Sequence, residues 1–436
     1  MTRVGWQAYP EYKHSGIEWL GEVPAHWQAM RAKFYTGINM GQSPSSGDCN
    51  LDGMGLPFLQ GNAEFGPVSP TPRQYCEVAP KAARKGDLLV SVRAPVGALN
   101  VADQDYGIGR GLCAITPNTA FLDRQYCWYL LHHVRTQLDL SSTGSTYDAV
   151  STHDVGNLVL LVSPADEQRA IADFLDRETA KIDALIAKKE RLIELLQEKR
   201  TALISQAVTK GLDSHVPMKD SGIEWLGEIP AHWTTVRIKR LVEVKDGTHE
   251  TPQYVSPSDD TFPLVTSRHV QGGQIVLYEA KHISREDYRA IIQRSDVASG
   301  DVLMPMIGTI GNPAIVGADS AFGIKNVALF KTSEGGLDPR YVAYFIVSAL
   351  CGAQFDLAAR GGVQGFVSLS LLRNLLVLRM PSGEDAHIAE YLDRETGKIS
   401  KLISKVAQAI GKLREYRTAL ISAAVTGKID VREVAP

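Results

Sequence analysis

The 436-residue chain has no basic excess: 46 Lys and Arg stand against 49 Asp and Glu, a net charge of −3. A nucleic-acid reader usually shows such an excess. Any grip on DNA must therefore come from local clusters or from partner subunits, because counterion release depends on the few side chains at the phosphates. Cysteine is scarce too. The five (Cys49, Cys76, Cys113, Cys127, Cys351) are odd in number, scattered and without a CxxC pair. That argues against a disulfide framework and a zinc knuckle, and suits a reducing cytoplasm. No stretch approaches the ~18–20 consecutive apolar residues of a membrane span. The start, "MTRVGWQAYPEYK", has no apolar core behind Arg3, so no secretory signal is expected.

Catalytic motifs are missing as well. There is no GxxxxGK[ST] loop, no HExxH, no GxSxG, and no Asn/Asp-Pro-Pro-aromatic tetrapeptide of the kind amino-methyltransferases use. "GIGRG" at Gly107 lacks the spacing and downstream acid of a dinucleotide site and reads as a turn. Cys127, His132 and His133 lie in the apolar run "QYCWYLLHHV" and read as helix packing, with no further ligands nearby. Asp259 and Asp260, in "VSPSDDTFP", read as solvated loop acids. The chain carries no catalytic residue, metal site or cofactor site of its own.

What is present is a repeat. "SGIEWLGEVPAHW" at Ser15–Trp27 returns as "SGIEWLGEIPAHW" at Ser221–Trp233, with one change in thirteen residues. "LDRET" at Leu175 returns at Leu392, and "RTALIS" at Arg200 returns at Arg417, both 217 positions on and each soon followed by "AVT". Between these ends the halves diverge over Gln28–Leu161 and Thr234–Leu378. Weak echoes remain: "KGDLLVSVRAPVG" at Lys85 with "SGDVLMPMIGTIG" at Ser299, and "YGIGRGLCAI" at Tyr106 with "FGIKNVALFK" at Phe322. A repeat of this kind organises a whole architecture.

The constant ends read as long helices. Ser163 with Asp166, and Ser382 with Asp385, fit a helix start, Pro164 suits the first turn, and Gly211 and Gly427 sit where a left-handed cap is wanted. Apolar residues recur at a and d spacing. In the first copy the expected seam is Ile182, Leu185, Leu192, Leu196 and Leu203, interrupted by Lys189, Lys199 and Gln206. In the second it is Ile399, Leu402, Val406, Ala409, Leu413, Tyr416, Leu420 and Ala423. Each rod spans at least ~38 Å at 1.5 Å per residue. The two stripes match in length and register, and near-equal halves favour a pseudo-twofold pair of antiparallel helices with the variable domains at opposite ends. The variable middles read as α/β: strands at "DLLVSV" (Asp87), "DVLMPMI" (Asp301) and "NLVLLV" (Asn157), helices at "RQYCWYLLHHVRTQL" (Arg124) and "PRYVAYFIVSAL" (Pro339).

Two divergent globular domains separated by two near-identical long helices resemble the specificity subunit of Type I restriction–modification systems. The resemblance covers essentially the whole chain. It rests on the duplicated "SGIEWLGE(V/I)PAHW", the "LDRET…RTALIS…AVT" helix signature, the echoed "GD(L/V)L" and "DGTHETP" at Asp246–Pro252. It implies an α/β (α+β) fold of two target-recognition domains separated by antiparallel coiled-coil helices. The boundaries are then a first recognition domain at 1–162, a long helix at 163–211, a linker at 212–220, a second recognition domain at 221–380, a second long helix at 381–428 and a tail at 429–436. It also implies a non-catalytic, cytoplasmic subunit that reads a bipartite site in double-stranded DNA. Two methyltransferase subunits would dock on it and restriction motor–nuclease subunits would join, with S-adenosylmethionine, ATP and Mg on those partners. The first half departs from the pattern, reading "MGQSPSSGD" (Met40–Asp48) where the second has "DGTHETP".

Base reading needs donors and acceptors projected from loops or a helix. The candidates in the second domain are Thr248, His249, Arg268, His269, Lys325, Asn326, Arg360 and Gln364. In the first they are Arg93, Arg110, Ser145, Thr146 and Tyr147. Trp19, Trp27, Trp225 and Trp233 are four of the six tryptophans and all lie in the thirteen-residue repeat. They fit buried anchors fastening domain to rod, with partner docking as the alternative. Two rival readings stand beside the resemblance: a DNA-binding adaptor of another defence or modification complex, and a coiled-coil scaffold with two ligand-binding domains.

Overall fold

The computed structural model describes residues 7–142, 150–318, 321–359 and 366–432. It falls into two compact units, 1–189 with 408–436, and 190–407. Two long helices, Ala165–Lys210 and Glu384–Val425, are each shared between the units. Both are stopped by the expected glycines, Gly211 at φ +73° and Gly427 at φ +69°, a conformation that costs glycine nothing.

Within each unit the helices run antiparallel, as their repeat suggests. In the first, Gly427 packs on Pro24 and Trp27 beside Glu167, near the start of one helix and the end of the other. Further along, Arg417 donates to both oxygens of Asp183 at 2.9 and 3.2 Å. In the second, Gly211 lies against Trp233 and Glu384, while Arg200 acts on Tyr344, whose hydroxyl donates to Asp393 at 2.7 Å. The segment after the second helix closes onto the first unit: Asp430 N–H donates to Gln7 C=O at 2.7 Å, and Tyr12 Oη to Gly427 C=O at 2.9 Å.

The seam corrects half of the heptad reading. Ile182, Leu196, Ile399, Val406 and Leu420 are buried, and Leu203 and Leu413 partly so. Leu185, Leu192 and Leu402, however, are 43, 39 and 44 % exposed. Their places are taken one residue on, by buried Ile186 and partly buried Ile193 and Ile403, while buried Ile410 replaces Ala409. The sequence presents a Leu-Ile doublet at 185–186, 192–193 and 402–403, and both +3 and +4 steps keep a residue on one helix face. The direction of the packed neighbour chooses between them.

Each unit carries the same two principal sheets. In the first, Leu99–Val101, Leu88–Ser91, Leu112–Pro117 and Thr36–Met40 form an antiparallel sheet in that order. In the second, Ala314–Ile315, Val302–Pro305, Val327–Lys331 and Glu243–Asp246 repeat it. The other sheet holds one parallel pair in each unit, Leu56–Leu59 with Tyr106–Ile108 and Thr261–Thr266 with Gly323–Lys325. The echoed "GD" is a turn. Asp87 accepts from Arg84 N–H at 2.8 Å, and Asp301 from Ala298 N–H at 2.9 Å, each just after a glycine at φ +89°.

The repeated thirteen residues form a small wedge, with Tyr12–His14 pairing to Glu22–Pro24 and Met218–Asp220 to Glu228–Pro230. Its four tryptophans split. Trp27 and Trp233 are fully buried against the helices, as anchors should be, whereas Trp19 and Trp225 are exposed. Period in the sequence could not separate them, because each copy holds both. Cys127 is buried, and His132 stacks edge-on to Trp128 with ring centroids 4.6 Å apart, in keeping with helix packing. Among the described residues no cluster of His, Cys, Asp and Glu could hold a metal ion, and no single helix is long and apolar enough to cross a membrane.

Candidate nucleic-acid interface

The chain crosses between the two principal sheets of the second unit at two adjacent points. One is Asn326, between Gly323–Lys325 in one sheet and Val327–Lys331 in the other. Its φ is +53°, the left-handed region that asparagine tolerates better than other side chains. The other is Gly247, after Glu243–Asp246. A Cβ there would lie 2.2 Å from Ile324 C=O, so only glycine permits the approach. The crossings are tied together: Thr248 N–H donates to Ile324 C=O at 2.9 Å and Asn326 N–H to Thr248 C=O at 3.2 Å.

Three further segments meet there. Ser267 Oγ donates to Asn326 C=O at 3.0 Å, and Met306 N–H donates to the same oxygen at 3.2 Å. Val367 N–H donates to Met306 C=O at 2.9 Å. So Thr248, His249, Arg268, Lys325 and Asn326, chosen from scattered stretches of sequence, converge at one end of the sheets. Arg268 and His249 are exposed, and Lys325 Nζ is held on Thr251 Oγ1. His269 is a correction. It is buried, its Nδ1 accepts from Thr266 N–H at 2.9 Å, and burial followed by the neighbouring Arg268 charge pulls its imidazole below the usual histidine range. It caps its own turn, with the ring directed back at Thr266. Arg360 and Gln364 lie outside the described residues.

Two residues not singled out in the sequence complete the site. Asp246 is buried and accepts from Arg294 at 2.6 and 3.1 Å and from His249 Nε2 at 3.0 Å. The "DGTHETP" stretch contained Asp246, but no pattern could link it to Arg294, which comes from the helix Arg285–Arg294. A cleft of about 260 Å³ opens beside them, lined by Thr248, Glu250, Thr251, Pro252, Asp287 and Arg294 among others.

The first unit builds the same framework from different side chains. Gly41 replaces Gly247, with a Cβ there 2.1 Å from Gly109 C=O. Gln42 N–H donates to Ile108 C=O at 3.0 Å, Val92 N–H to Gly111 C=O at 2.9 Å and Val150 N–H to Val92 C=O at 2.8 Å. These match Thr248, Met306 and Val367 bond for bond. "MGQSPSSGD" therefore holds the place of "DGTHETP", with Met40 where the second unit has Asp246 and Ser43 where it has His249. Arg110 and Arg93 are exposed side by side on this framework. Gln42, Ser43 and Gln60 join them, Gln60 Nε2 reaching Ser43 Oγ at 3.5 Å. Ser145, Thr146 and Tyr147 lie outside the described residues.

Residues 38–195 match the Type I restriction modification DNA specificity domain. A type I restriction enzyme specificity subunit from Methanocaldococcus jannaschii, MjaX, is 34 % identical over 201 residues, 46 % of either chain. The chain thus spans under half the length of that relative. The EcoBI specificity subunit from Escherichia coli is 21 % identical over 355 residues, 79 % of this chain and 73 % of that one. A chain in a solved type I R-M system superposes with a TM-score of 0.64 at 18 % identity, covering 93 % of this chain and 99 % of that chain, which extends the shared fold across both units. Residues 38–195 are thus similar to the Type I restriction modification DNA specificity domain, and the chain is similar over most of its length to specificity subunits of type I restriction enzymes.

Proposed function

We propose that this chain is the non-catalytic DNA-specificity subunit of a type I restriction–modification complex, working in the cytoplasm. Each unit reads one half of a split double-stranded target, and the long helices set the interval between the halves. One observation carries the reading: a single loop framework, held by matching backbone hydrogen bonds, is built twice and dressed with different side chains. That is what two half-sites of unlike sequence require. Arg93, Arg110, Arg268 and Lys325 supply local positive charge that the net charge of −3 conceals.

Two methyltransferase subunits dock along the helices, where Leu185, Leu192, Leu195, Leu402 and Tyr416 leave apolar surface exposed. Restriction subunits join that assembly, and S-adenosylmethionine, ATP and Mg belong to the partners. The test is to exchange Gln28–Leu161 for the equivalent segment of a relative and to sequence methylated bases in cells carrying each version. One half of a gapped motif should change and the other persist. A simultaneous change in both halves would refute the modular reading. Calorimetry on the isolated chain should find no S-adenosylmethionine site.

A further inference from the structure

We infer that Cys49 and Cys76 are a redox-modification site, a thiol pair in the first unit that closes to a cross-strand disulfide under a peroxide and reopens under a thiol reductant. The site does not depend on the proposed reading of DNA. Both cysteines are free thiols, Cys76 buried and Cys49 partly exposed. They are Cα partners across the antiparallel strands Cys49–Asn50 and Gln74–Cys76. Directly opposed residues of such a pair present their side chains on one face.

The register puts them where the side chains come closest. Glu77 N–H donates to Asp48 C=O at 3.1 Å, one step outward on each strand. In an antiparallel ladder that bond flanks a non-hydrogen-bonded pair, whose Cα atoms stand ~4.5 Å apart. A disulfide spans Cα separations of about 4.4–6.8 Å, so closure needs rotation of the side chains and no shift of the strands. The backbone is held on both sides. Asn50 Oδ1 accepts from Asp52 N–H and Met54 N–H at 3.1 and 3.0 Å, fixing the turn that follows Cys49. Gly55 approaches Cys76 C=O so closely that a Cβ there would lie 2.2 Å away. Burial pushes the Cys76 thiol up, and Cys49 beside it adds to the rise.

The second unit has no such pair. Its strands Tyr254–Val255 and Lys281–Ser284 set Tyr254 opposite Ile283. Ile283 matches Cys76 by its other neighbour: Phe262 faces Ile283 as Leu56 faces Cys76, each two residues before the position that faces Gly323 or Gly107. The shared framework therefore does not require cysteine at either place. Cys49 follows directly on Met40–Asp48, the segment in the place of "DGTHETP", so the closed disulfide ties the end of that segment to its sheet.

Hydrogen peroxide oxidises the partly exposed Cys49 thiol to a sulfenic acid and leaves as water. The Cys76 sulfur then attacks the Cys49 sulfur, the S–S bond forms and a second water departs. Two thiol hydrogens and two electrons pass to the peroxide. A dithiol reverses the reaction by exchange and ends as a disulfide itself. In a reducing compartment the pair rests open. Cys113, Cys127 and Cys351 are buried and stay reduced.

The test uses the full chain, reduced, freed of reductant and titrated with hydrogen peroxide before alkylation and trypsin digestion. The expected product joins peptides 34–73 and 74–81 of one chain, lighter than their sum by two hydrogens, and disappears with dithiothreitol. C49S and C76S should each lose it, and C76S should collect Cys49 as sulfinic acid. Amide exchange over 49–59 should slow in the oxidised wild type and stay unchanged by peroxide in C76S. A link that forms in urea but not in native buffer would overturn the site. So would linkage between two chains, or wild-type Cys49 passing to sulfinic acid without any link. Equal exchange in the open and closed forms would overturn the tie to the sheet.

Discussion

Trp27 Nε1 donates to Glu167 Oε1 at 3.0 Å, with His26 Nε2 on the other carboxylate oxygen at 2.8 Å. Glu384 holds the corresponding place in the second unit, where His232 Nε2 lies 3.3 Å from its Oε2. Among the described residues the buried Trp233 Nε1 has no partner. Replacing either indole by phenylalanine removes similar volume, so the difference between them isolates the hydrogen bond. Trp27→Phe leaves the buried Glu167 Oε1 without the indole donor and should cost about 1–3 kcal/mol more than Trp233→Phe. Hydrogen exchange of peptides from each unit separates the two effects. Equal losses would show that the bond contributes nothing.

The one-residue shift of the helix seam has a direct consequence. Leu185→Ala and Leu402→Ala should each change stability by less than about 1 kcal/mol. Ile186→Ala and Ile410→Ala, one residue along or on the same stripe, should each cost about 2–4 kcal/mol because they leave cavities. Urea denaturation read by helix signal distinguishes the frames. Loss at Leu185 matching that at Ile186 would restore the strict heptad reading.

Lys331 is buried with Asp301, its Nζ 3.0 Å from the carboxylate and 2.7 Å from Asp296 C=O. Lys331→Met strands Asp301 in the core and should destabilise the second unit by about 3–5 kcal/mol. The first unit meets the same need differently: Thr116, at the matching strand position, donates to Asp87 at 2.7 Å. Lys331→Thr should therefore cost less than Lys331→Met. Thermal denaturation of the two variants checks the order.

Burial, with Arg135 and Arg417 adding to it, lowers the His132 imidazole to about 4, and burial lowers His133 as well. Both rings are neutral in the fold and take up protons once unfolded, so the unfolded chain binds more protons below about pH 6.5. Stability of the first unit should hold above that pH and fall progressively toward pH 4, by up to about 3 kcal/mol from His132. Denaturation at pH 7.5 and pH 5 measures it. His132→Gln should flatten the profile, and an unchanged slope would assign the acid loss elsewhere.

The helices provide a ruler under the proposed function. One heptad inserted after Ala187 alone throws the two stripes out of register. A matching heptad after Ser404, 217 residues on, restores it. The paired insertion lengthens the rods by about 10 Å. At ~3.4 Å per base pair, the unread gap in the target should widen by about three base pairs. Methylated-base sequencing reads the gap. A gap unchanged by the paired insertion would remove the ruler.

The sequence by itself determined whatever depends on local chemistry or repetition. The duplicated segments disclosed two like halves, the cap glycines marked where the helices stop, and the 217-residue offset put them in one register. Lys325 and Asn326 could be picked out as donors and acceptors of the kind base reading needs. Tertiary structure decided the questions on which local chemistry is neutral. Either member of each Leu-Ile doublet could face inward, and only the packed neighbour selected Ile186 over Leu185. Tryptophans of one motif divided into Trp27 inside and Trp19 outside, because burial belongs to the partner surface and not to the residue type. His269 looked like a reader and became a cap, since its ring turns back on Thr266. Asp246, His249, Arg294 and Asn326 stand 80 positions apart at the extremes, and only the crossing of two sheets brings their side chains within hydrogen-bonding distance.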